Sequence, residues 1–273
     1  MKPECILIRV GEQSLKSRQV WLIFNRILIK NIRASLEGID YELKNETNRI
    51  FIYTKDVDKS IDRLSRVFGI TSISPVYVCD ATIEDMQKLA KIIFKPGKKK
   101  FAIRARRTGM HKFTSQEIGS KIGYIIPGSV DLSNPAKELF VECRQKKSYM
   151  YTDKFVGPGG LPLGSGGKIF GILNDDQDFV ACWLLMKRGC EILVVSNKKP
   201  LVRKLQKWHT GLKMSIFTKI PENYVIPAIV IGEKSAEKLS KTDLLILRPL
   251  VGLNYKEFLT QINSKSGVNK ANK

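Results

Sequence analysis

A segment rich in glycine and proline divides this chain of 273 residues into two parts with different secondary-structure patterns. It reads GPGGLPLGSGGK at 157–168 and holds six glycines and two prolines. Glycine weakens regular structure through its conformational freedom and proline lacks a backbone N–H, so neither a helix nor a central strand is expected there. The segment is not a P-loop, because Ile169 follows Lys168 where that motif requires serine or threonine. It is expected to be either an interdomain connection or a structured loop that contacts phosphate.

The part before this segment predicts two α+β modules. Residues 1–76 show the order strand, helix, strand, strand, helix, strand, which is typical of a split β-α-β unit of the ferredoxin-like type. Residues 77–165 predict a helix, a strongly basic strand, a second helix and a closing hairpin. The part after it, residues 166–273, alternates strands and helices and predicts a small α/β domain with a parallel, Rossmann-like sheet.

The formal net charge is +21 at pH 7, and the excess of basic residues is spread over all three predicted domains. A basic protein of this size most often binds nucleic acid, through phosphate contacts and the release of counterions. A solvated, lysine-rich surface without a partner is the alternative. A membrane partner is not expected, because no basic amphipathic helix and no run of about 18 apolar residues is present. The five cysteines form no CxxC pair, which argues against a zinc site or a disulfide framework and indicates a cytoplasmic protein.

The densest basic stretch is KKKFAIRARRTGMHK at 98–112, where basic and apolar residues alternate as in a strand with one face on a core. The opposite face would present its cations to a polyanion. A capping box of Thr114 and Glu117 predicts that a helix begins directly afterwards, and its N-terminal amides would add positive potential. His111 is expected either to contact RNA or to be a solvated surface residue. The candidate RNA-binding residues are Lys98, Lys99, Lys100, Arg104, Arg106, Arg107, Lys112 and Lys121.

Five stretches together resemble one family. They are RVGEQSLK at 9–16, FGITSISP at 68–75, FAIRARRTGMHKFTSQEIGSKIG at 101–123, VDLSNP at 130–135 and GPGGLPLGSGGK at 157–168. They occur in the order found in the tRNA 4-thiouridine synthetases, also called tRNA sulfurtransferases of thiamine biosynthesis. The resemblance implies a ferredoxin-like domain, a THUMP domain that holds the acceptor 3′ end of tRNA, and a PP-loop domain that activates uridine with ATP for thiolation.

The chain departs from this family in the loop that would bind ATP. The family motif S-G-G-x-D-S is replaced by NDDQDF at 174–179, so the aspartate alone is kept. Carboxylates in place of glycines add negative charge and bulk where the backbone should approach phosphate. The degenerate nucleotide loop therefore comprises Asn174, Asp175, Asp176 and Asp178. Its three carboxylates could bind a divalent cation, although negative charge that stabilises a helix N-terminus is the simpler explanation.

A second departure concerns cysteine. The family uses a cysteine for sulfur transfer in a region that this shortened third domain skips, and no cysteine follows Cys190. The sequence thus predicts a cytoplasmic tRNA-binding protein with no catalytic residues, metal or cofactor of its own. It would act beside a separate thiolation or adenylating enzyme, and a homodimer is compatible with this prediction. The alternatives are an active sulfurtransferase that uses ATP and Mg²⁺ through an altered loop, and a structural subunit of a tRNA-modifying complex.

Overall fold

The computed structural model describes residues 1–11, 17–46, 49–221, 225–232 and 243–265. Residues 12–16 of the first family motif lie outside these ranges, as do residues 266–273 of the third predicted domain. Within these ranges, none of the helices combines the length and apolar character that a membrane span requires.

The first domain has the predicted element order. Its elements are β1 (Cys5–Val10), α1 (Arg18–Ser35), β2 (Glu42–Glu46), β3 (Arg49–Tyr53), α2 (Val57–Leu64) and β4 (Ile70–Asp80). Leu28 and Ile32 share one face of α1 and pack, with residues of α2, on Ile6 and Ile8 of β1. Because β1 is buried on both faces, residues 5–8 read as one apolar run rather than as an alternation.

The second domain continues directly from β4. Its elements are α3 (Ile83–Ile93), β5 (Phe101–Arg107), α4 (Ser115–Ile125), β6 (Lys137–Cys143), β7 (Lys147–Tyr151) and β8 (Phe155–Val156). Helices α3 and α4 pack together on one face of β5, β6 and β7. Phe101 and Ile103 of the basic strand β5 point into this core, so Arg104 and Arg106 lie on the opposite face, as the alternation predicts.

The two α+β domains share one sheet, with strand order β2-β3-β1-β4-β7-β6-β5. The long strand β4 joins them, because residues 70–76 pair with β1 whereas residues 77–80 pair with β7. Strand β8 returns to pair with β4. The sequence predicted two separate modules. An alternating pattern shows which face of a strand is buried but not which strand lies beside it, so the shared sheet was not predicted.

This shared sheet bends back on itself. In strand order β3 and β6 are separated by three strands, yet Arg49 Nε of β3 donates to Glu142 Oε1 of β6 at 2.7 Å. The ring of Phe51 stacks on Tyr149 with centroids 4.1 Å apart, and the hydroxyls of Tyr53 and Tyr149 are 2.8 Å apart. The helix-free faces of the two halves therefore pack against each other, and an apolar cluster lies between them.

The third domain is the predicted α/β unit. Its elements are β9 (Lys168–Ile172), α5 (Asp176–Lys187), β10 (Glu191–Val195), α6 (Lys199–Gln206), β11 (Ile216–Phe217), β12 (Ala228–Val230), β13 (Leu245–Leu247) and α7 (Tyr255–Lys265). The strands are parallel in the order β11-β10-β9-β12-β13, so the chain winds outward in both directions from the β9–β12 pair. Such a reversal of strand order leaves a crevice at the carboxyl ends of the two strands, where ligands bind in this class of fold.

The glycine-rich segment is a structured connection between the domains. Gly157 N donates to Thr71 O at 2.9 Å and Leu161 N to Lys187 O at 2.9 Å, so the segment bonds to the first and third domains. Gly160 has a φ of +75°, and a Cβ there would lie 2.1 Å from Lys187 O, so only glycine fits. Phe68 reinforces the junction, because this first-domain residue is fully buried in the core of the third domain.

Candidate nucleic-acid interface

A groove with a volume of about 900 Å³ runs between α4 and the bent sheet of the first two domains. It is called the basic groove here because five of its lining side chains are cations. These are Arg9 of β1, Arg49 of β3, Arg104 and Arg106 of β5, and Lys154, which follows β7. Glu142 of β6 is the carboxylate among the lining residues.

The carboxylates near the groove form ion pairs with two of its five cations, Arg49 and Arg104. Oε1 of Glu142 already accepts from Arg49 Nε at 2.7 Å and from Arg144 Nη2 at 3.0 Å. Glu138 accepts from Arg104 Nε at 2.9 Å. In the described part of the chain, Arg9, Arg106 and Lys154 form no ion pair within 4 Å. The groove therefore presents a net positive charge to any ligand that enters it.

Arg9 is a half-buried cation at the base of the groove. Its Nη1 donates to Ser74 Oγ at 3.1 Å, and its guanidinium lies 4.6 Å from the centre of the Tyr151 ring. Burial lowers the pKa of Arg9, since removal from water disfavours the charged form. A buried charge without its own counter-ion is unfavourable, and the approach of an anionic ligand would relieve that cost.

Lys154 lies close to two other cations of the groove, Arg9 and Arg106. Its pKa is lowered, first by partial loss of water and then by the charges of Arg9 and Arg106, while Glu138 acts in the opposite direction. Arg9, Arg106 and Lys154 all line the groove, so cations from β1, β5 and the segment after β7 lie in the same part of it.

Of the eight predicted RNA-binding residues, the structure brings Arg104 and Arg106 into the groove. The Arg104 guanidinium already makes hydrogen bonds within the protein, because its Nη2 donates to Leu132 O at 2.8 Å in addition to the bond from Nε to Glu138. Arg107 lies on the other face of β5 and donates to Gly109 O, and Lys100 forms an ion pair with Asp131 at 3.2 Å. The remaining predicted residues are exposed but do not line the groove: Lys98, Lys99, Lys112 and Lys121.

The sequence did not single out Arg9, Arg49 or Lys154, which come from outside the basic stretch. The available signal was weak. Arg9 opens the first family motif and shares its face of β1 with Cys5 and Leu7, so its burial could be inferred but not its neighbours. His111, weighed as an RNA contact, stacks on Phe113 with ring centroids 5.0 Å apart and does not line the groove.

The start of α4 has the predicted capping box. Glu117 N donates to Thr114 Oγ1 at 3.1 Å and Thr114 N donates to Glu117 Oε2 at 2.6 Å. These hydrogen bonds with Thr114 lower the pKa of Glu117. Two of the N-terminal amides expected to attract phosphate are therefore satisfied by the protein, and a negative charge stands beside them.

The loop at 174–178, predicted from the sequence to be a degenerate nucleotide loop, lies between the ends of β9 and β12, in the crevice of the third domain. The carboxylate of Asp175 accepts from the backbone N–H groups of Gln177 and Asp178 at 2.9 and 3.0 Å. Asp178, which is 1% exposed, accepts from Asn174 N at 2.9 Å and from Gly232 N at 2.7 Å. Protein carboxylates thus hold the backbone amides that an anion would need at this helix N-terminus.

A divalent cation has no assembled site in this loop. Asp176 forms an ion pair with Lys204 at 3.1 Å, while Asp175 and Asp178 bond to backbone amides. Across the described ranges, no group of three or more His, Cys, Asp or Glu side chains could hold a metal ion. The geometry favours the simpler explanation, in which the acids stabilise the start of α5.

None of the five cysteines is in a setting that favours a thiolate. Burial raises the pKa of the Cys5 thiol and of the Cys79 thiol to about 12 in each case. It also raises the pKa of Cys143, Cys182 and Cys190. The thiolate is the nucleophilic form of cysteine, so burial makes these thiols less nucleophilic at neutral pH than an exposed cysteine.

Comparison with known proteins confirms the resemblance and the domain types. Residues 5–74 match the model of the ThiI ferredoxin-like domain, and residues 80–153 match that of the THUMP domain. The chain is 30% identical to a probable tRNA sulfurtransferase of Methanobrevibacter smithii, over 98% of this chain and 87% of that protein. That alignment spans 336 positions, so the relative has residues that this chain of 273 lacks.

Two solved structures share the overall architecture. The crystal structure of PH1313 from Pyrococcus horikoshii is 29% identical, with a TM-score of 0.81 over 98% of this chain and 100% of that one. A crystal structure of a 4-thiouridine synthetase–RNA complex with bound ATP has a TM-score of 0.76 over 97% of this chain and 85% of that one. At 22% identity it shows the common fold. With a ThiI ferredoxin-like domain, a THUMP domain and an α/β domain in sequence, this chain belongs to the tRNA sulfurtransferase family.

Proposed function

We propose that this chain binds tRNA through the basic groove and serves tRNA thiolation as a binding module, without adenylating uridine itself. The observation that carries the proposal is the groove lined by five cations, of which Arg49 and Arg104 form ion pairs with carboxylates while Arg9, Arg106 and Lys154 add positive charge in excess of those pairs. Phosphate contacts from such a surface supply most of the affinity of proteins for nucleic acids. The relatives described as tRNA sulfurtransferases and the related synthetase bound to RNA support tRNA as the polyanion.

The state of the nucleotide loop supports the absence of adenylation. The carboxylates of Asp175 and Asp178 already accept hydrogen bonds from backbone amides of this loop and of Gly232. The phosphates of ATP would have to replace these carboxylates as acceptors or bind next to their negative charges. Even at an effective dielectric constant of about 20, two negative charges 4 Å apart repel by about 4 kcal/mol. The raised pKa values of all five cysteines fit a chain that leaves sulfur transfer to a separate protein. We place this binding module in the cytoplasm, as a monomer or a homodimer.

One observation favours an alternative, an active ATP-dependent tRNA sulfurtransferase with an altered loop. The relative described as a tRNA sulfurtransferase aligns with 98% of this chain, third domain included. A structural subunit of a tRNA-modifying complex would also be expected to keep the third domain. ATP binding distinguishes the active enzyme, which requires it, from the structural subunit, which does not.

The RNA-binding proposal is tested by electrophoretic shifts with tRNA. Arg106→Ala removes an exposed cation of the groove, and the double variant Arg104→Ala/Arg106→Ala removes two. Both are expected to weaken tRNA binding and to reduce its dependence on salt, because each lost phosphate contact lowers the number of released counterions. The matched control, Arg26→Ala/Arg33→Ala, removes two exposed arginines of α1 outside the groove. Equal affinities of the two double variants would refute the groove as the tRNA site.

The absence of adenylation is tested by calorimetric titration of the full chain with Mg·ATP beside a titration with tRNA. The proposal predicts heat of binding with tRNA and none with Mg·ATP. ATP binding, or recovery of 4-thiouridine in a deletion strain that receives this protein alone, would instead support the active enzyme. Co-purification with a second, intact adenylating protein is the outcome expected of a binding module or a structural subunit.

A further inference from the structure

The two walls of the basic groove differ in chemistry. The sheet wall carries the cations, whereas the wall formed by α4 carries no charge. The residues of α4 that line the groove recur every three to four positions and so lie on one face of the helix. They are glycines or have uncharged polar or aromatic side chains: Ser115, Gln116, Gly119, Ser120, Gly123 and Tyr124. The charged residues of this helix, Glu117 and Lys121, lie on other faces. A ligand with one anionic side and one neutral side would therefore enter the groove in one orientation.

The neutral wall ends in a patch of exposed apolar side chains. Tyr124 is 91% exposed, Leu132 61% and Val130 53%, and all three line the groove. Val130 lies beside α4, since a Cβ placed on Gly123, the residue before Tyr124, would lie 3.8 Å from Cγ2 of Val130, and Leu132 follows two residues later in the chain. Single exposed apolar residues are ordinary, but a group of three inside a groove indicates a ligand with an apolar surface.

This apolar patch is held in place before any ligand arrives. Tyr124 lies on a regular helix. Asp131, between the other two residues, donates its N–H to Phe101 O at 2.8 Å and accepts from Asn134 N at 2.9 Å. Arg104 Nη2 donates to Leu132 O at 2.8 Å. A surface fixed in this way loses little conformational freedom when a ligand binds.

We propose that Tyr124 stacks on a nucleobase of the bound RNA, with Val130 and Leu132 beside it, while the phosphates of the same strand lie along the cationic wall. This inference rests on the proposed function, since it assumes that the groove binds RNA. A nucleotide has the two-sided chemistry that the groove requires: an anionic phosphate and a neutral base with an aromatic face. Stacking on an exposed tyrosine also requires an unpaired base, because bases within a duplex already stack on one another.

The hydroxyl and amide groups on the same wall could form hydrogen bonds with the edge of that base. Ser115, Gln116 and Ser120 can each donate or accept hydrogen bonds, and they lie on the groove face of α4 together with Tyr124. Gly119 and Gly123 leave room between them, since a Cβ at either would meet protein atoms no closer than 3.7 Å. The helix therefore combines an aromatic platform with polar groups that can distinguish one base from another.

The test uses the full chain and a short, labelled single-stranded oligoribonucleotide whose bases are replaced one at a time by abasic sites. Tyr124→Ala is expected to weaken binding of the intact oligomer about tenfold, the usual effect of losing one stacked base, whereas Tyr124→Phe keeps the affinity. At one position, an abasic site should weaken binding to the natural protein about tenfold and leave Tyr124→Ala unaffected. Met110→Ala, which removes an 89% exposed side chain outside the groove, is the matched control.

The results separate this inference from the proposed function. If Arg104→Ala/Arg106→Ala weakens every oligomer but Tyr124→Ala shows the same abasic profile as the natural protein, the groove binds RNA and the stacking assignment is wrong. If neither variant changes RNA affinity, the groove itself is not the RNA site. A Tyr124→Trp variant supplies an independent signal, since stacking predicts quenching of its fluorescence by the intact oligomer and less quenching by the critical abasic one. Equal quenching by both would contradict the assignment.

Discussion

Replacing Glu142 by glutamine is expected to change stability and RNA affinity in opposite directions. The Glu142 side chain is 8% exposed and its Oε1 receives hydrogen bonds from Arg49 at 2.7 Å and Arg144 at 3.0 Å. These arginine side chains are 17% and 15% exposed, so neither is well solvated. Glu142→Gln leaves two guanidinium groups near Arg9 without a negative charge between them. Breaking a buried ion pair typically costs 3–5 kcal/mol, and glutamine keeps one accepting oxygen, so a loss of about 3 kcal/mol is expected.

The same substitution removes the single carboxylate found among the groove-lining residues of the described chain. A unit charge near a phosphate contributes about 1 kcal/mol of repulsion at 4 Å in bulk water and more where water is excluded. RNA affinity of Glu142→Gln should therefore rise about fivefold, the equivalent of 1 kcal/mol. Urea unfolding followed by tryptophan fluorescence measures the first effect, and titration of a labelled RNA by anisotropy measures the second.

The control for this prediction is Glu46→Gln. Glu46 contacts the other side of Arg144 at 3.8 Å but is 41% exposed, and it does not line the groove. An exposed ion pair of this kind contributes at most about 1 kcal/mol, so Glu46→Gln should leave both stability and RNA affinity close to those of the natural protein. The reasoning is refuted if Glu142→Gln is as stable as the control, or if it binds RNA no more tightly.

Three further predictions concern the third domain and the groove. Burial lowers the pKa of His209 below its usual 6.5, so below that pH the unfolded chain binds more protons than the folded chain. The free energy of unfolding should therefore be highest above about pH 6.5 and fall as the pH drops below that value. In His209→Gln the free energy of unfolding should depend less on acid pH. Phe68→Ala removes a fully buried ring whose centroid lies 5.4 Å from that of Trp183 and 5.8 Å from that of Trp208. It should cost about 3–5 kcal/mol and split calorimetric unfolding into two transitions, and one unchanged transition would contradict this. A bound phosphate should raise the lowered pKa of Lys154, so RNA affinity should fall as the pH rises toward that pKa in the natural protein but not in Lys154→Arg.

Features that depend on neighbouring residues could be predicted from the sequence. The capping box of Thr114 and Glu117 predicted the start of α4. The alternation in β5 correctly predicted that Arg104 and Arg106 share one face. Each of these follows from a period of 2 residues or from a single turn of helix, so no knowledge of distant contacts was required.

The composition of the groove could not be predicted in the same way. Arg9, Arg49 and Lys154 reach it because β4 joins two domains into one sheet and that sheet bends until β3 faces β6. The loop at 174–179 is a similar case. The sequence predicted carboxylates where the family motif has glycines, and the structure shows which backbone amides Asp175 and Asp178 accept hydrogen bonds from. By itself the sequence determined the order of the domains and the helix and strand faces. The tertiary structure alone decided which charges meet in one groove, because strand pairing and sheet bending act between residues that are far apart in the chain.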